Sequence, residues 1–523
     1  MSKKIDRYSI DNTDYTIGQD NVQKWGFDVH NPVFGFSIAI IALFLITAAL
    51  VEPTTAKQLL DGVKWDIINN FDWLFIWSAN FFLVFIIAIA LSPFGKIRLG
   101  GNKATPEHST WTWLAMLFAA GMGIGLVFWG VAEPVAYFTG WFHTPLNVTP
   151  NTPEAAKLAL AATMYHWGLH PWAIYGIVAL SLAFFTYNKG LPLSMRSVFY
   201  PILGDRAWGW MGNVIDILAV IATLFGLATS LGLGAQQAAG GINYVFGIEN
   251  GLGLQVGIIS FVTLVAVYSV WRGIDSGVKL LSNINMIIAF ALLAVVTIIG
   301  YHVSFASIWT TLTGYIENIL PLSNTFGRED TDWLHGWTVF YWAWWISWSP
   351  FVGMFIARVS KGRTIREFVV AVLLIPTLVT LIWMSVFGGL AIDQVMHKVG
   401  ELGTKGLTDI SLAMFQMFDH LIWGKFLSVI AVALVLVFFV TSSDSGSLVI
   451  DSITAGGKMD APVTQRVLWA LIGGLIAVAL LWIGGANALQ AMQAAIISTA
   501  LPFTLILLCM CLSLYLGLKT EKF

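Results

Sequence analysis

The chain has 523 residues, of which 57% are hydrophobic, 14% aromatic and only 11% charged, against about 45–50% apolar and about 25% charged in soluble globular chains. So large an apolar surplus, with a mean hydropathy of +0.77, must face lipid, which excludes an ordinary soluble protein. The 27 Lys and Arg nearly balance the 29 Asp and Glu without a long basic run, which argues against nucleic-acid binding, and the 2 cysteines, Cys509 and Cys511 in one apolar stretch, offer neither a zinc spacing nor a disulfide framework.

In chain order, residues 1–32 are polar and mixed in charge, without the basic-then-apolar profile of a cleaved signal peptide, so the N-terminus is expected on the cytoplasmic side. A bilayer-spanning helix needs about 20 mostly apolar residues, because every backbone polar group must be bonded within the segment. Twelve segments qualify: 33–51, 71–91, 111–138, 159–185, 214–246, 254–270, 279–301, 337–357, 367–392, 423–451, 466–484 and 493–517. With the N-terminus inside, most lysines and arginines fall on inner segments, as the positive-inside rule requires. The densest inner cluster, Arg358, Lys361, Arg363 and Arg366, reads as topological anchoring in preference to gating.

The third span carries Gly121-Met122-Gly123-Ile124-Gly125, and each glycine weakens a helix by about 1 kcal/mol relative to alanine, so an unwound stretch is expected. The eighth carries Ser347-Trp348-Ser349-Pro350-Phe351-Val352-Gly353, where the proline removes a backbone donor and Gly353 loosens the next turn. A pair of Gly/Pro-interrupted spans five helices apart is the pattern of inverted repeats with a binding site at their interface. The plainer alternative is that the glycines only permit close helix packing.

Aromatic residues mark the same regions. The fourth span holds Trp167, His170, Trp172 and Tyr175 around Pro171, and the eighth holds Tyr341-Trp342-Ala343-Trp344-Trp345-Ile346-Ser347-Trp348. At the helical period Tyr341, Trp344, Trp345 and Trp348 share an arc of about 100°. Aromatic faces attract cations and form cages for quaternary ammonium groups, which have no hydrogen-bond donors. An interfacial aromatic belt is the alternative, although this cluster lies mid-span. If Gly123 and Gly125 unwind their helix, freed N–H groups at the start of a half-helix can receive a carboxylate, so a zwitterion fits both ends. Acidic residues within the spans are few: Glu133 lies late in the third and Asp444 late in the tenth, and each is a functional candidate by position. The tenth span also carries Thr441-Ser442-Ser443-Asp444-Ser445. Sodium prefers oxygen ligands, and Thr441 and Ser442 are the candidate ligands, unless these hydroxyls simply bond back to their own helix.

Taken together, Gly121 through Gly125, His166-Trp167-Gly168-Leu169-His170-Pro171-Trp172, Trp342 through Phe351 and Arg358 through Glu367 resemble the betaine/carnitine/choline transporter family over residues 25–517. The resemblance implies an all-α membrane protein of twelve helices with a LeuT-type 5+5 inverted repeat after two extra helices. It divides the chain into a cytoplasmic tail (1–32), two peripheral helices (33–110), a first repeat (111–301), an extracellular connecting segment (302–336), a second repeat (337–517) and a short cytoplasmic tail (518–523). It implies a location in the bacterial inner membrane, contact with lipids and a homotrimeric assembly. It places the substrate among Trp344, Trp345, Trp348 and Phe351, with Tyr341, Met122, Gly123 and Gly125 nearby and a second, transient box of Trp167, Trp172 and Tyr175. One sodium would be held by the backbone of Ala119 and Met122 together with Phe438, Thr441 and Ser442. For a second sodium Thr223 matches, but Leu227 stands one turn later where related chains have a hydroxyl. Choline-specific relatives tend to carry an aspartate where this chain has Gly125, which disfavours choline. The segment after the last span is too short for the basic tail of osmosensing relatives. The expected function is sodium-coupled import of a betaine-type zwitterion such as glycine betaine, dimethylsulfoniopropionate or ectoine, with no cofactor. The alternatives are a sodium-independent or proton-coupled carnitine or choline carrier or exchanger, an ammonium-type channel, and a membrane enzyme, for which no nucleophile–base pair is evident.

Overall fold

The computed structural model describes residues 13–121, 123–272 and 275–521. Ahead of the first span, β1 (Asn21–Lys24) and β2 (Phe27–His30) form an antiparallel hairpin with Lys24 opposite Phe27. Its two turn residues, Trp25 and Gly26, both have positive φ, the conformation that matches the twist of a two-residue hairpin. The hairpin docks on the rest of the protein through Asp28, which accepts from Lys458 (2.6 Å), and through Asn21, which donates to the Ala455 carbonyl (2.9 Å).

The membrane region is helical throughout. Its first half contains α1 (Asn31–Leu50), α2 (Pro53–Leu91), α3 (Thr110–Gly121), α4 (Ile124–Thr139), α5 (Pro153–Trp167), α6 (Leu169–Tyr187), α7 (Trp210–Phe246), α8 (Leu252–Trp271) and α9 (Asp275–Ile299). Then come α10 (Tyr301–Ser323), α11 (Val339–Val359), α12 (Ile365–His397), α13 (Gly424–Thr454), α14 (Val463–Gly484) and α15 (Ala488–Leu518). Among the described residues, nine helical stretches are long and apolar enough to cross a membrane. The last of them, Val463–Leu518, comprises α14 and α15 with a turn at Gly485, where φ is positive.

Three departures from the sequence reading have physical causes. The fourth predicted span is two helices, because the chain breaks at Gly168. A β-carbon there would lie 2.8 Å from the Tyr315 hydroxyl, and that hydroxyl accepts from the Leu169 amide at 3.0 Å. The eighth predicted span is not interrupted: α11 runs unbroken through Pro350. Proline lacks the amide that would bond to the carbonyl four residues back, and the Ser349 hydroxyl bonds to that Ile346 carbonyl instead, at 2.7 Å. The connecting segment 302–336 is largely α10, which packs on α5 and α12 and turns Phe305, Trp309, Ile316 and Leu320 outward.

The core sits where α11 packs against α6, α7 and α15, while α13 lies along α7 and α12 along α4. Large exposed side chains such as Phe36, Leu43, Leu50 and Leu91 form the lipid face. Cys511 is buried and Cys509 exposed, and neither is in a disulfide. The basic cluster before α12 is bonded to other elements: Arg363 donates to the His108 carbonyl (2.7 Å) and lies over the Trp113 ring, and Arg366 donates to the Ala90 carbonyl (2.9 Å). A capping box between Thr364 and Glu367 starts α12 beside it.

Candidate functional site

The glycine run of the third predicted span separates α3 from α4. Gly123 is extended (φ −168°, ψ −178°) and caps α4 without a side-chain hydrogen bond. The first amides of a helix have no partner within it, so the start of α4 at Ile124 and Gly125 presents N–H groups and the positive end of the helix dipole. The half-helix is held from outside its own ladder, with Trp383 of α12 donating to the Leu126 carbonyl (2.9 Å) and Gln237 of α7 to that of Val127 (3.0 Å).

This end of α4 opens on a cavity of about 220 Å³, below the roughly 300–1,000 Å³ of sites for drug-sized ligands and suited to a small solute. Trp344, Trp345, Trp348 and Phe351 of α11, Trp167 of α5, and Trp172 and Tyr175 of α6 line it, together with Gly123 and Gly125. Trp344 and Trp345 stack at 4.9 Å with planes 9° apart, and Trp348 meets Phe351 at 4.9 Å. The two aromatic groups anticipated separately share this one chamber, since Trp167 packs edge-on against Trp345 at 4.8 Å and Tyr175 against it at 6.1 Å. Such a wall of ring faces beside a helix N-terminus can hold a diffuse cation and an anion on one small molecule. Gly125 is required by proximity: a β-carbon there would sit 2.6 Å from Cη2 of Trp167 and 3.2 Å from Cη2 of Trp344.

Tyr341 stands one row behind the wall. It is fully buried, stacks at 6.0 Å on Trp345 and at 6.3 Å on Trp344, and donates its hydroxyl to Glu133. Ala119, Phe438, Thr441 and Ser442 also line the chamber, as do Ser445 and Ser230. The Thr441 hydroxyl bonds back to the carbonyls of Val437 and Phe438, both at 3.1 Å. Met122 lies outside the described residues. Thr223 is buried in α7 and does not line the chamber, and Leu227 fills notches at Gly446 and Gly473. Among the described residues no group of three or more His, Cys, Asp or Glu side chains could hold a metal ion.

Residues 32–523 match the family model described as BCCT, betaine/carnitine/choline family transporter. The chain belongs to the betaine/carnitine/choline transporter family. It is similar to the glycine betaine transporter 1 of Vibrio parahaemolyticus, with 72% identity over the full length of both chains. It is also similar to a glycine betaine/proline/choline/ectoine transporter of the same organism, with 64% identity over all of this chain and 93% of the other. A glycine betaine transporter of Bacillus subtilis is 41% identical over 94% of each chain. This betaine/carnitine/choline family chain is therefore a multi-pass membrane transporter and not an enzyme.

In this transporter the chamber also takes Ser282 and Met286 from α9, Thr380 from α12, and Phe355 from the far end of α11. Sequence reasoning missed them. A single serine or methionine in an apolar span carries no pattern of its own, and only the packing of α9 on α13 and α12, and of α12 on α4, brings them to the site.

Proposed function

We propose that this protein is a sodium-coupled symporter importing a small betaine-type zwitterion, glycine betaine first, with dimethylsulfoniopropionate or ectoine next, through twelve spans arranged as two inverted repeats with both termini cytoplasmic. The reading rests on one observation: Trp344, Trp345 and Trp348 share a small chamber with the uncapped start of α4 at Gly123 and Gly125. The methylated cation stacks in the rings while the carboxylate meets helix-end amides. The relatives named for glycine betaine support the substrate class. A trimethylammonium or dimethylsulfonium head presents the same donor-free, diffuse charge, so the cage accepts either.

Sodium would sit in the oxygen-rich corner formed by Ala119, Phe438, Thr441 and Ser442, bracing the C-terminal end of α3 against α13. Binding there favours the substrate-ready arrangement of the break between α3 and α4, which couples the two gradients. The residues of the chamber do no covalent chemistry; they orient the solute and strip its water.

The test is uptake of labelled glycine betaine into vesicles holding the purified protein, with and without an inward sodium gradient. A symporter accumulates solute only with the gradient, and Thr441→Ala combined with Ser442→Ala raises the sodium concentration for half-maximal uptake severalfold. Equal accumulation without sodium would support an exchanger instead, and unchanged sodium dependence in the double variant would remove the ion site from this corner.

A further inference from the structure

Directly behind the ring wall lies a polar cluster that the transport reading does not use. Glu133 of α4 is fully buried. Its Oε2 accepts from the Trp167 indole N–H at 2.6 Å and from the Tyr341 hydroxyl at 2.5 Å. Its Oε1 accepts from the Tyr137 hydroxyl at 2.9 Å and lies 3.0 Å from His166 Nδ1. The other ring nitrogen of His166 lies 2.9 Å from Thr338 Oγ1, and the His166 carbonyl accepts from the Trp345 indole at 2.8 Å. Three helices, α4, α5 and α11, therefore converge on one carboxyl group.

Two features tie this group to the chamber. Trp167 spans the gap: its N–H edge is on Glu133, and its opposite edge, at Cη2, meets Gly125 at the chamber wall. Tyr341 also bonds Glu133 and stacks on both Trp344 and Trp345. Four polar groups, Trp167, Tyr341, Tyr137 and His166, converge on the two carboxyl oxygens, with the Tyr137 hydroxyl also 3.0 Å from His166 Nδ1; a carboxylate has about four lone-pair sites to receive such groups, and the 2.5 Å phenol contact lies in the range of an O–H on a carboxylate. An indole or phenol donating to an anion has a more electron-rich face, which is the face a cation meets. Across a dry protein interior a charge one ring away is felt much more strongly than through water. A cation in the chamber in turn favours the ionised form of the carboxyl group.

We propose that Glu133 is a specificity-determining residue that acts through Trp167 and Tyr341: its buried carboxylate gives the ring wall its preference for a positively charged head over an uncharged one of the same shape. This deepens the betaine reading and rests on it.

The test uses a matched pair, glycine betaine and 3,3-dimethylbutanoate, in which carbon replaces the ammonium nitrogen and the carboxylate is unchanged. Binding of each to the purified, reconstituted protein is measured for the natural chain, for Glu133→Gln and for Glu133→Asp. The natural chain should favour glycine betaine strongly. Glu133→Gln, which keeps the size and most of the hydrogen bonds, should narrow that preference roughly tenfold, while Glu133→Asp, which keeps the charge, should retain it. A role confined to holding the rings in place would weaken both ligands in parallel and leave the ratio untouched. An unchanged ratio in Glu133→Gln overturns the proposal. Should that variant not reach the folded state, a lost preference in Glu133→Asp overturns it equally. If the natural chain does not distinguish the two ligands, the betaine reading itself fails, and that result is separable from the other two.

Discussion

At Gly125 the chain leaves no room for a side chain, since the edges of Trp167 and Trp344 already occupy the space a β-carbon would need. Neither ring can retreat freely, because Trp167 is fastened to Glu133 and Trp344 is stacked on Trp345. Overpacking of this kind costs about 1–3 kcal/mol. Gly125→Ala should therefore raise the concentration of glycine betaine for half-maximal uptake about tenfold or more, with the protein still reaching the membrane, and uptake kinetics at saturating sodium check it. Affinity unchanged by the added methyl would mean that the rings are not where the solute binds. The glycines and tryptophans were legible as unusual residues in the sequence. That Gly125 and Trp167 touch was not, because they lie 42 positions apart and nothing local couples them.

Helices were legible in the sequence because a bilayer leaves little choice: an apolar run of sufficient length must satisfy its own backbone. Interruptions were legible only in part: the glycine run does break its span at Gly123, but elsewhere a break depends on who answers the freed groups. Pro350 looked like a breaker, yet Ser349 supplies the missing bond to the Ile346 carbonyl and α11 stays whole. Gly168 carries no break signal of its own, yet α5 ends there, where the hydroxyl of a tyrosine 147 residues further along the sequence accepts from the Leu169 amide. Ser349→Ala should leave the Ile346 carbonyl unanswered in a buried helix, at about 1–3 kcal/mol. The thermal midpoint of the purified protein should drop by several degrees while the affinity for solute holds, because Ser349 is not part of the chamber wall. A stable variant would show that some other group bonds this carbonyl.

Across the whole molecule, contacts between remote segments tie the chain together. The N-terminal hairpin reaches the turn between α13 and α14 through Asp28 and Lys458. Burial works against the charged form of Asp28, but hydrogen bonds from Lys458, Asn21 and Gln23, with the charge of Lys458, hold its carboxyl below the usual range. A carboxyl depressed in the folded state contributes stability above its free value of about 3.9, and that contribution is lost as pH falls through the folded value. Hydrogen exchange over residues 21–30, corrected for the intrinsic pH dependence of exchange, should therefore stay slow from neutrality down to about pH 4 and quicken below. Asp28→Asn should exchange fast throughout, and protection that ignores both acid and the substitution would show that this ion pair does not hold the hairpin. A second long-range contact is the Tyr315 hydroxyl of α10 on the Leu169 amide, at the corner from which Trp167 and Trp172 project. Hydrocarbon tolerates no orphaned amide, so a shift of that amphipathic connector must carry the corner along with it or leave the amide bare. The segment between α9 and α11 is thus no slack tether: it is fastened at the corner that carries the tryptophans.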